Sequence, residues 1–229
     1  MQVAQGRYDE VLCLGDLVGY GPDPNPVVDR IRSIAKVVIR GNHDKACCGL
    51  TDAEDFNPLA RLATLWTRHE LTLEHLNFLR NLPSGPFTID GFEVVHGSPN
   101  DEDEYLFDAG GALEALRHLQ IQTVLFGHTH YQGGFLLTAK GQLKAIHNTS
   151  HEDGCTLSLP IEDGTRYLIN PGSVGQPRDG DWRAAFAIVD NIQRKVEYYR
   201  TSYDLSITQT KMQKAGLPEP LIKRLEVGR

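Results

Sequence analysis

At 229 residues, with 40% apolar and 23% charged side chains, the chain falls in the globular range, long enough for one sizeable core and short for two domains. Thirty acidic against 23 basic residues leave a formal net charge of −7, which excludes generic nucleic-acid binding through a positive field; a phosphate-bearing ligand has to meet local donors or cations. Four cysteines (Cys13, Cys47, Cys48 and Cys155) are too few and too unevenly spaced for a disulfide scaffold, Met1 to Glu10 shows no leader pattern, and the longest apolar run, Ala184 to Val189, is too short to span a membrane, so a cytoplasmic protein with no membrane partner is expected.

In chain order, short β-type runs alternate with helical periods. Val11 to Leu14 is an apolar strand run ending at Gly15-Asp16. The Pro-rich turn Gly21 to Pro26 leads into a helical pattern through Val27, Val28, Ile31 and Ile34, and Val37 to Ile39 forms the next strand. Leu62, Leu65, Trp66 and His69, then Leu73, Leu76 and Leu79, recur at three- and four-residue spacing until Pro83, which predicts two core-facing helices or one kinked helix. From Phe87 the period drops to two, and Phe87 to Asp90 with Phe92 to His96 reads as a hairpin about a glycine turn. A helix follows through Leu113, Leu116 and Leu119, then a buried strand from Thr123 to Phe126. Further β runs lie at Gly134 to Thr138, Arg166 to Ile169, Ala184 to Val189 and Lys195 to Tyr199, and an exposed helical tail is expected from about Leu205. Together these predict a single α/β domain over residues 1–229, with sheets packed between helices.

Five polar clusters each follow directly on an apolar β run: Gly15-Asp16, Gly41-Asn42-His43-Asp44, His96-Gly97, Gly127-His128-Thr129-His130 and Asn170-Pro171-Gly172-Ser173. Ligands of α/β sheets bind beyond the carboxyl ends of strands, so clusters placed there converge although they lie far apart in sequence. One carboxylate, one amide oxygen and several imidazoles form a mixed oxygen and nitrogen donor set, suited to Mn, Fe, Zn, Co or Ni rather than to calcium or a thiolate site. His128 and His130 are two apart, so in an extended segment both point to one side while Thr129 points away. Asp16 is the natural bridge between two cations, because a carboxylate offers one oxygen to each. Taken singly, Asp16 reads equally as a turn cap, Asn42 to Asp44 as an Asx turn and His96 as a core histidine; the ordered set on strand ends is what favours a site. His69, His75, His118, His147, His151 and the Cys47-Cys48 pair read as structural.

The series Gly15-Asp16-Leu17-Val18-Gly19-Tyr20-Gly21-Pro22, Gly41-Asn42-His43-Asp44, Val95-His96-Gly97-Ser98-Pro99, Gly127-His128-Thr129-His130 and Asn170-Pro171-Gly172-Ser173-Val174 resembles the calcineurin-like metallophosphoesterases over nearly the whole chain. It is closest to the small bacterial branch of YfcE-type phosphodiesterases and diadenosine-polyphosphate hydrolases. The resemblance implies a four-layer α/β/β/α sandwich with a two-metal centre at one edge. It implies that Asp16 bridges the metals, that Asn42, His96 and His128 complete the second site, and that His130 belongs to the first. It also implies that His43 is the catalytic histidine at the scissile phosphate, with Asp44 as its orienting partner. The family opens with an Asp-x-His strand, and none precedes Asp16 here. The expectation is therefore a sandwich without its first strand and most of its first helix, with Asp16 and His130 alone on the first metal: either a sequence read from a start downstream of the natural one, or a genuine short form that holds one ion or none.

In the intact family site, two divalent cations about 3.5–4 Å apart lower the pKa of a bridging water, and the hydroxide attacks phosphorus in line. Mn is the expected metal, with Fe, Zn, Ni, Co or Mg as alternatives, and His43 assists the leaving group as general acid. Arg178 reads as a donor fork for phosphate or as a surface arginine, and Tyr20 as a ring that stacks on a base or simply packs. The expected function is hydrolysis of small phosphodiesters or dinucleoside polyphosphates; the alternative is a weakly active or non-catalytic metal- and phosphate-binding module.

Overall fold

The computed structural model describes residues 4–148 and 150–229. Strand β1 (Leu12–Cys13) and strand β2 (Val37–Val38) pair in parallel across helix α1 (Pro24–Ile34), whose first turn accepts proline because its amide has no partner there in any case. The first polar cluster after β2 is itself a helix, α2 (Asn42–Cys48), closed by Gly49 in the left-handed conformation. The long periodic stretch resolves into two helices, α3 (Pro58–Glu70) and α4 (Leu73–Arg80). The break falls at Leu71 and Thr72, both extended, and the Thr72 hydroxyl accepts the His75 amide as a fresh N-cap.

The predicted hairpin is present as β3 (Phe87–Ile89) and β4 (Phe92–Val94), joined by Asp90-Gly91 with both φ angles positive, the turn geometry that matches strand twist. Helix α5 (Ala109–His118) is capped by the Asp108 carboxylate, and then the strands β5 (Thr123–Leu125), β6 (Gln132–Leu137), β7 (Leu143–His147), β8 (Gly154–Pro160), β9 (Arg166–Pro171), β10 (Ala184–Asp190) and β11 (Lys195–Thr201) follow. One mixed sheet has the order β3-β4-β5-β9-β6-β7. Facing it are β1-β2 and the antiparallel β10-β11-β8.

The alternation along single strands shows how the layers are held. In β9, Tyr167 and Ile169 enter the inter-sheet core with Val94, Leu125, Val196 and Tyr198, while Leu168 between them packs under α5 with Ala112, Ala115 and Leu116. A third core joins α1, α2 and α4 through Val28, Cys47, Cys48 and Leu79, with Val38 of β2 against it. The α/β/β/α layering is thus present, and it places the carboxyl ends of β1, β2, β4, β5 and β9 along one edge.

The C-terminal segment corrects one expectation. Helix α6 (Leu205–Lys214), helix α7 (Glu219–Lys223) and a 3-10 turn (Arg224–Val227) begin where predicted, but they are not an exposed tail. Met212, Leu217, Leu221, Ile222 and Leu225 are buried with Ala63 of α3, and Tyr20, Leu59 and Trp66 pack against them. Leu221→Ala should destabilise the fold by about 2–4 kcal/mol, the usual cost of a truncated core leucine, read from a urea unfolding curve; no change would mean that the segment is detachable.

Candidate metal centre

Five chain segments deliver the site. After β1 the backbone turns at Gly15 (φ 94°) and Asp16 (φ 54°), and the loop lies so close to the α2 N-terminus that a Cβ on Gly15 would meet the Gly41 amide nitrogen at 2.6 Å. A Cβ on Gly41 would meet an Asp16 carboxylate oxygen at 2.1 Å, so both positions exclude any side chain. Helix α2 then aims its first turn at the carboxylate: the His43 amide donates to Asp16 Oδ1 at 3.0 Å.

Asp16, His96 and His128 place one ligand atom each within 4.8 Å of one another. His96 Nε2 lies 3.4 Å from Asp16 Oδ2, His130 Nε2 3.8 Å from the same oxygen, and His96 Nε2 3.1 Å from His128 Nδ1. Each imidazole spends its other nitrogen on a backbone carbonyl: His96 Nδ1 on Leu14 (2.7 Å), His130 Nδ1 on Gln176 (2.7 Å) and His128 Nε2 on Asp103 (3.1 Å). A carbonyl is an acceptor only, so it fixes the proton on that nitrogen and leaves a lone pair on the inward one, as a metal ligand requires. Asn42, between two residues whose backbones meet Asp16, carries a buried side-chain oxygen with no hydrogen-bond partner among the described residues. An orphaned amide oxygen, a carboxylate and inward imidazole lone pairs fit a divalent transition-metal ion.

The electrostatics follow from burial and mutual proximity. Burial opposes the Asp16 charge, but His96, His130 and His43 around it overcome this and hold the carboxyl well below its usual range. Burial likewise opposes the His96 imidazolium, yet Asp16 and the Leu14 carbonyl raise it to about 9. Burial and the adjacent His96 push His128 down to about 3. The Asp16 and His96 charges thus support each other beside the lowered His43 and His128 rings, and a bound cation would take the place of the His96 proton.

The His128 and His130 side chains both turn towards Asp16, but not from an extended segment. The segment is a turn in which both residues are left-handed, each with φ 60°, and Thr129 points away to accept from Asn170. Three non-glycine residues of one site, Asp16, His128 and His130, therefore hold a conformation costing on the order of 1–3 kcal/mol each.

His43 is buried between two rings, Tyr20 at 4.4 Å and Phe56 at 4.7 Å, and burial lowers it to about 4. Its Nδ1 lies against Gly19 without a hydrogen-bond partner, which leaves Nε2 to meet a ligand. Asp44 does not orient His43. Its oxygens accept the Gly41 amide (2.9 Å) and the Val18 amide (3.3 Å), because successive helical residues point about 100° apart and position three of α2 faces back to its own N-terminus. Burial and the Asp16 charge raise Asp44 to about 7. Tyr20 packs on the His43 ring, and the Arg178 guanidinium lies 5.8 Å from the Tyr20 ring while its backbone amide donates to the His130 carbonyl at 3.1 Å.

Several residues had escaped the sequence reading. Asn170, read only as part of a cluster, is a buried brace: its amide donates to the Gly127 carbonyl and to the Thr129 hydroxyl, both at 2.9 Å. The available signal was an amide closing the apolar run Tyr167-Leu168-Ile169. Tyr105 stacks on His128 with ring centres 3.7 Å apart, and neither it nor Phe56 stands out in any pattern.

A sequence model described as Calcineurin-like phosphoesterase matches residues 2–132. The chain is 35% identical over 225 residues to a Methanocaldococcus jannaschii protein described as uncharacterized protein MJ0912, covering 96% of this chain and 87% of that one. A crystal structure of a metallophosphoesterase from Sphaerobacter thermophilus superposes with a TM-score of 0.81 at 38% identity, over 98% of this chain and 90% of its own. The hypothetical protein PH1004 from Pyrococcus horikoshii shares the fold at 22% identity, with a TM-score of 0.74 over 100% of this chain and 89% of its own. The donor set that four segments bring together, and the match over more than half of the sequence, make this chain a member of the calcineurin-like phosphoesterase family.

Proposed function

We propose that the chain is a metal-dependent hydrolase of phosphodiesters or dinucleoside polyphosphates, with manganese as its working cation. The observation that carries this reading is the set of three imidazoles pinned by backbone carbonyls, each with its second nitrogen turned towards one centre at Asp16. Asp16, Asn42, His96 and His128 would hold one cation, and Asp16 with His130 a second. When bound, the cations neutralise phosphoryl charge and supply an activated water. The protein contributes the rest. The His43 ring, fixed between Tyr20 and Phe56, presents Nε2 for protonation of the leaving oxygen, and an anionic phosphoester beside it favours the imidazolium form that this step needs. Asp44 keeps the α2 N-terminus folded against Asp16, and Arg178 meets a substrate oxygen.

The test is hydrolysis of bis(p-nitrophenyl) phosphate by the full chain. Turnover should require Mn²⁺, vanish on chelation and return on re-addition. Metal titration should show one tightly held ion per chain and a weaker second, because four donors face the first and only two among the described residues face the second. That same asymmetry favours the second reading, a weakly active metal- and phosphate-binding module. Tight binding of one ion with no diester or dinucleotide turnover would select it.

A further inference from the structure

The molecule carries an unneutralised pair of cations next to this site. Arg178, on the loop after β9, and Arg224, on the C-terminal 3-10 turn, both donate to the side-chain oxygen of Gln176, at 3.3 Å and 2.8 Å. The Gln176 main-chain carbonyl is the one that fixes His130, so the pair sits a single residue away from a metal-site imidazole. Both guanidinium groups also lie over the Tyr20 ring, at 5.8 Å and 4.7 Å, and that ring contacts the His43 ring at 4.4 Å.

What sets these two apart is that two guanidinium groups share one neutral acceptor, the Gln176 side-chain oxygen. Arg40, Arg183 and Arg200 are neutralised by Glu102, Asp181 and Asp179, and the half-buried Arg68 and Arg166 each reach backbone carbonyls instead. Among the described residues Arg178 and Arg224 pair with no carboxylate, and the Nε of each is buried without a hydrogen-bond partner. Two like charges sharing one neutral acceptor repel each other and have given up part of their hydration, a cost that only an anion between them recovers. The arrangement is also enforced. The buried α6–α7 segment carries Arg224, and the chain end is pinned where the Gly180 amide donates to the Gly228 carbonyl at 3.0 Å. A Cβ on Gly228 would meet the Asp181 amide nitrogen at 2.6 Å, so that approach requires glycine. Arg178 further lines an open cleft of about 480 Å³ with Arg229, leaving room for the remainder of a substrate.

We propose that Arg178 and Arg224 form a two-guanidinium clamp for a second anionic group, so that the preferred substrates carry another phosphate next to the scissile one, as di- and polyphosphate esters do. This rests on the phosphoesterase reading and narrows its substrate class. An arginine fork matches phosphate geometry with paired donors, and two forks select an extended polyanion over a single phosphate.

The experiment is calorimetric titration of the full chain with methylenediphosphonate and with orthophosphate, beside Mn²⁺-dependent hydrolysis of bis(p-nitrophenyl) phosphate. The unmodified chain should bind the diphosphonate about tenfold or more tightly than orthophosphate. Arg224→Gln and Arg178→Gln should each erase that margin, Arg224→Lys should keep part of it, and Arg61→Gln, at an exposed position, should change nothing. Circular dichroism identifies any variant that has not folded, and the other position then decides. A margin that survives in the folded variants, or that is absent from the unmodified chain, overturns the clamp while leaving diester hydrolysis in place. The margin without any Mn²⁺-dependent hydrolysis overturns the phosphoesterase reading and leaves the clamp standing.

Discussion

Replacing His43 with alanine should lower kcat on bis(p-nitrophenyl) phosphate by about 10²–10⁴-fold, the usual contribution of a positioned general acid, while the affinity for Mn²⁺ stays as it was. The separation follows from which atoms do what. The His43 backbone amide donates to Asp16 Oδ1, and alanine keeps that bond, so the carboxylate remains oriented. The side chain contributes nothing to the donor set, with Nδ1 against Gly19 and the ring between Tyr20 and Phe56. On stability two effects oppose each other. Losing the ring contacts opens a cavity, and removing a buried nitrogen without a partner relieves a penalty, so the net loss should be about 1–2 kcal/mol. Steady-state kinetics with a Mn²⁺ titration of the same preparation decides the matter. A parallel fall in metal affinity would place His43 among the ligands and remove it from proton transfer.

The sequence showed the strands that line both cores and hid the pieces whose form depends on their neighbours. Tyr167, Leu168 and Ile169 alternate between two apolar environments, so period two and a continuous apolar run coincide, and the strand was legible. Helix α2 was not, because every residue from His43 to Cys48 is buried and no polar face marks a helical period. Strands β7 and β8 were missed for the opposite reason: their residues are nearly all exposed or half-exposed, and the polar ones dilute the alternation. The C-terminal segment looked exposed because Met212 is the one residue of α6 that is buried; the anchoring comes from Leu217, Leu221, Ile222 and Leu225, spread over two short turns. The metal-ligand candidates were legible as residues, since glycine-flanked polar clusters after apolar runs are rare. Their partners were not. Gln176 and Arg224 stand 48 positions apart in the chain and meet only because the end folds back.

Asn170→Ala should be the most damaging single change outside the candidate ligands, lowering stability by about 3–4 kcal/mol and Mn²⁺ affinity by about 10–100-fold. Asn170 is 1% exposed and makes three side-chain hydrogen bonds: its amide donates to the Gly127 carbonyl and the Thr129 hydroxyl, and its oxygen accepts the Gly172 amide, all at 2.9 Å. Alanine removes all three bonds and leaves the Gly172 amide without a partner, while the Thr129 hydroxyl and the Gly127 carbonyl keep only the Tyr131 and Thr129 amides. The effect on the metal site follows from backbone strain. His128 and His130 are held left-handed on either side of Thr129, and a relaxed turn swings both imidazoles away from Asp16. Thr129→Val removes the hydroxyl that Asn170 and the Tyr131 amide use, so it should weaken Mn²⁺ binding in the same direction by a smaller factor. Thermal unfolding and calorimetric Mn²⁺ titration of the two variants separate bracing from mere packing. If Asn170→Ala loses stability but binds Mn²⁺ as before, the turn keeps its shape without the brace and the strain is held by β6 and β9 alone.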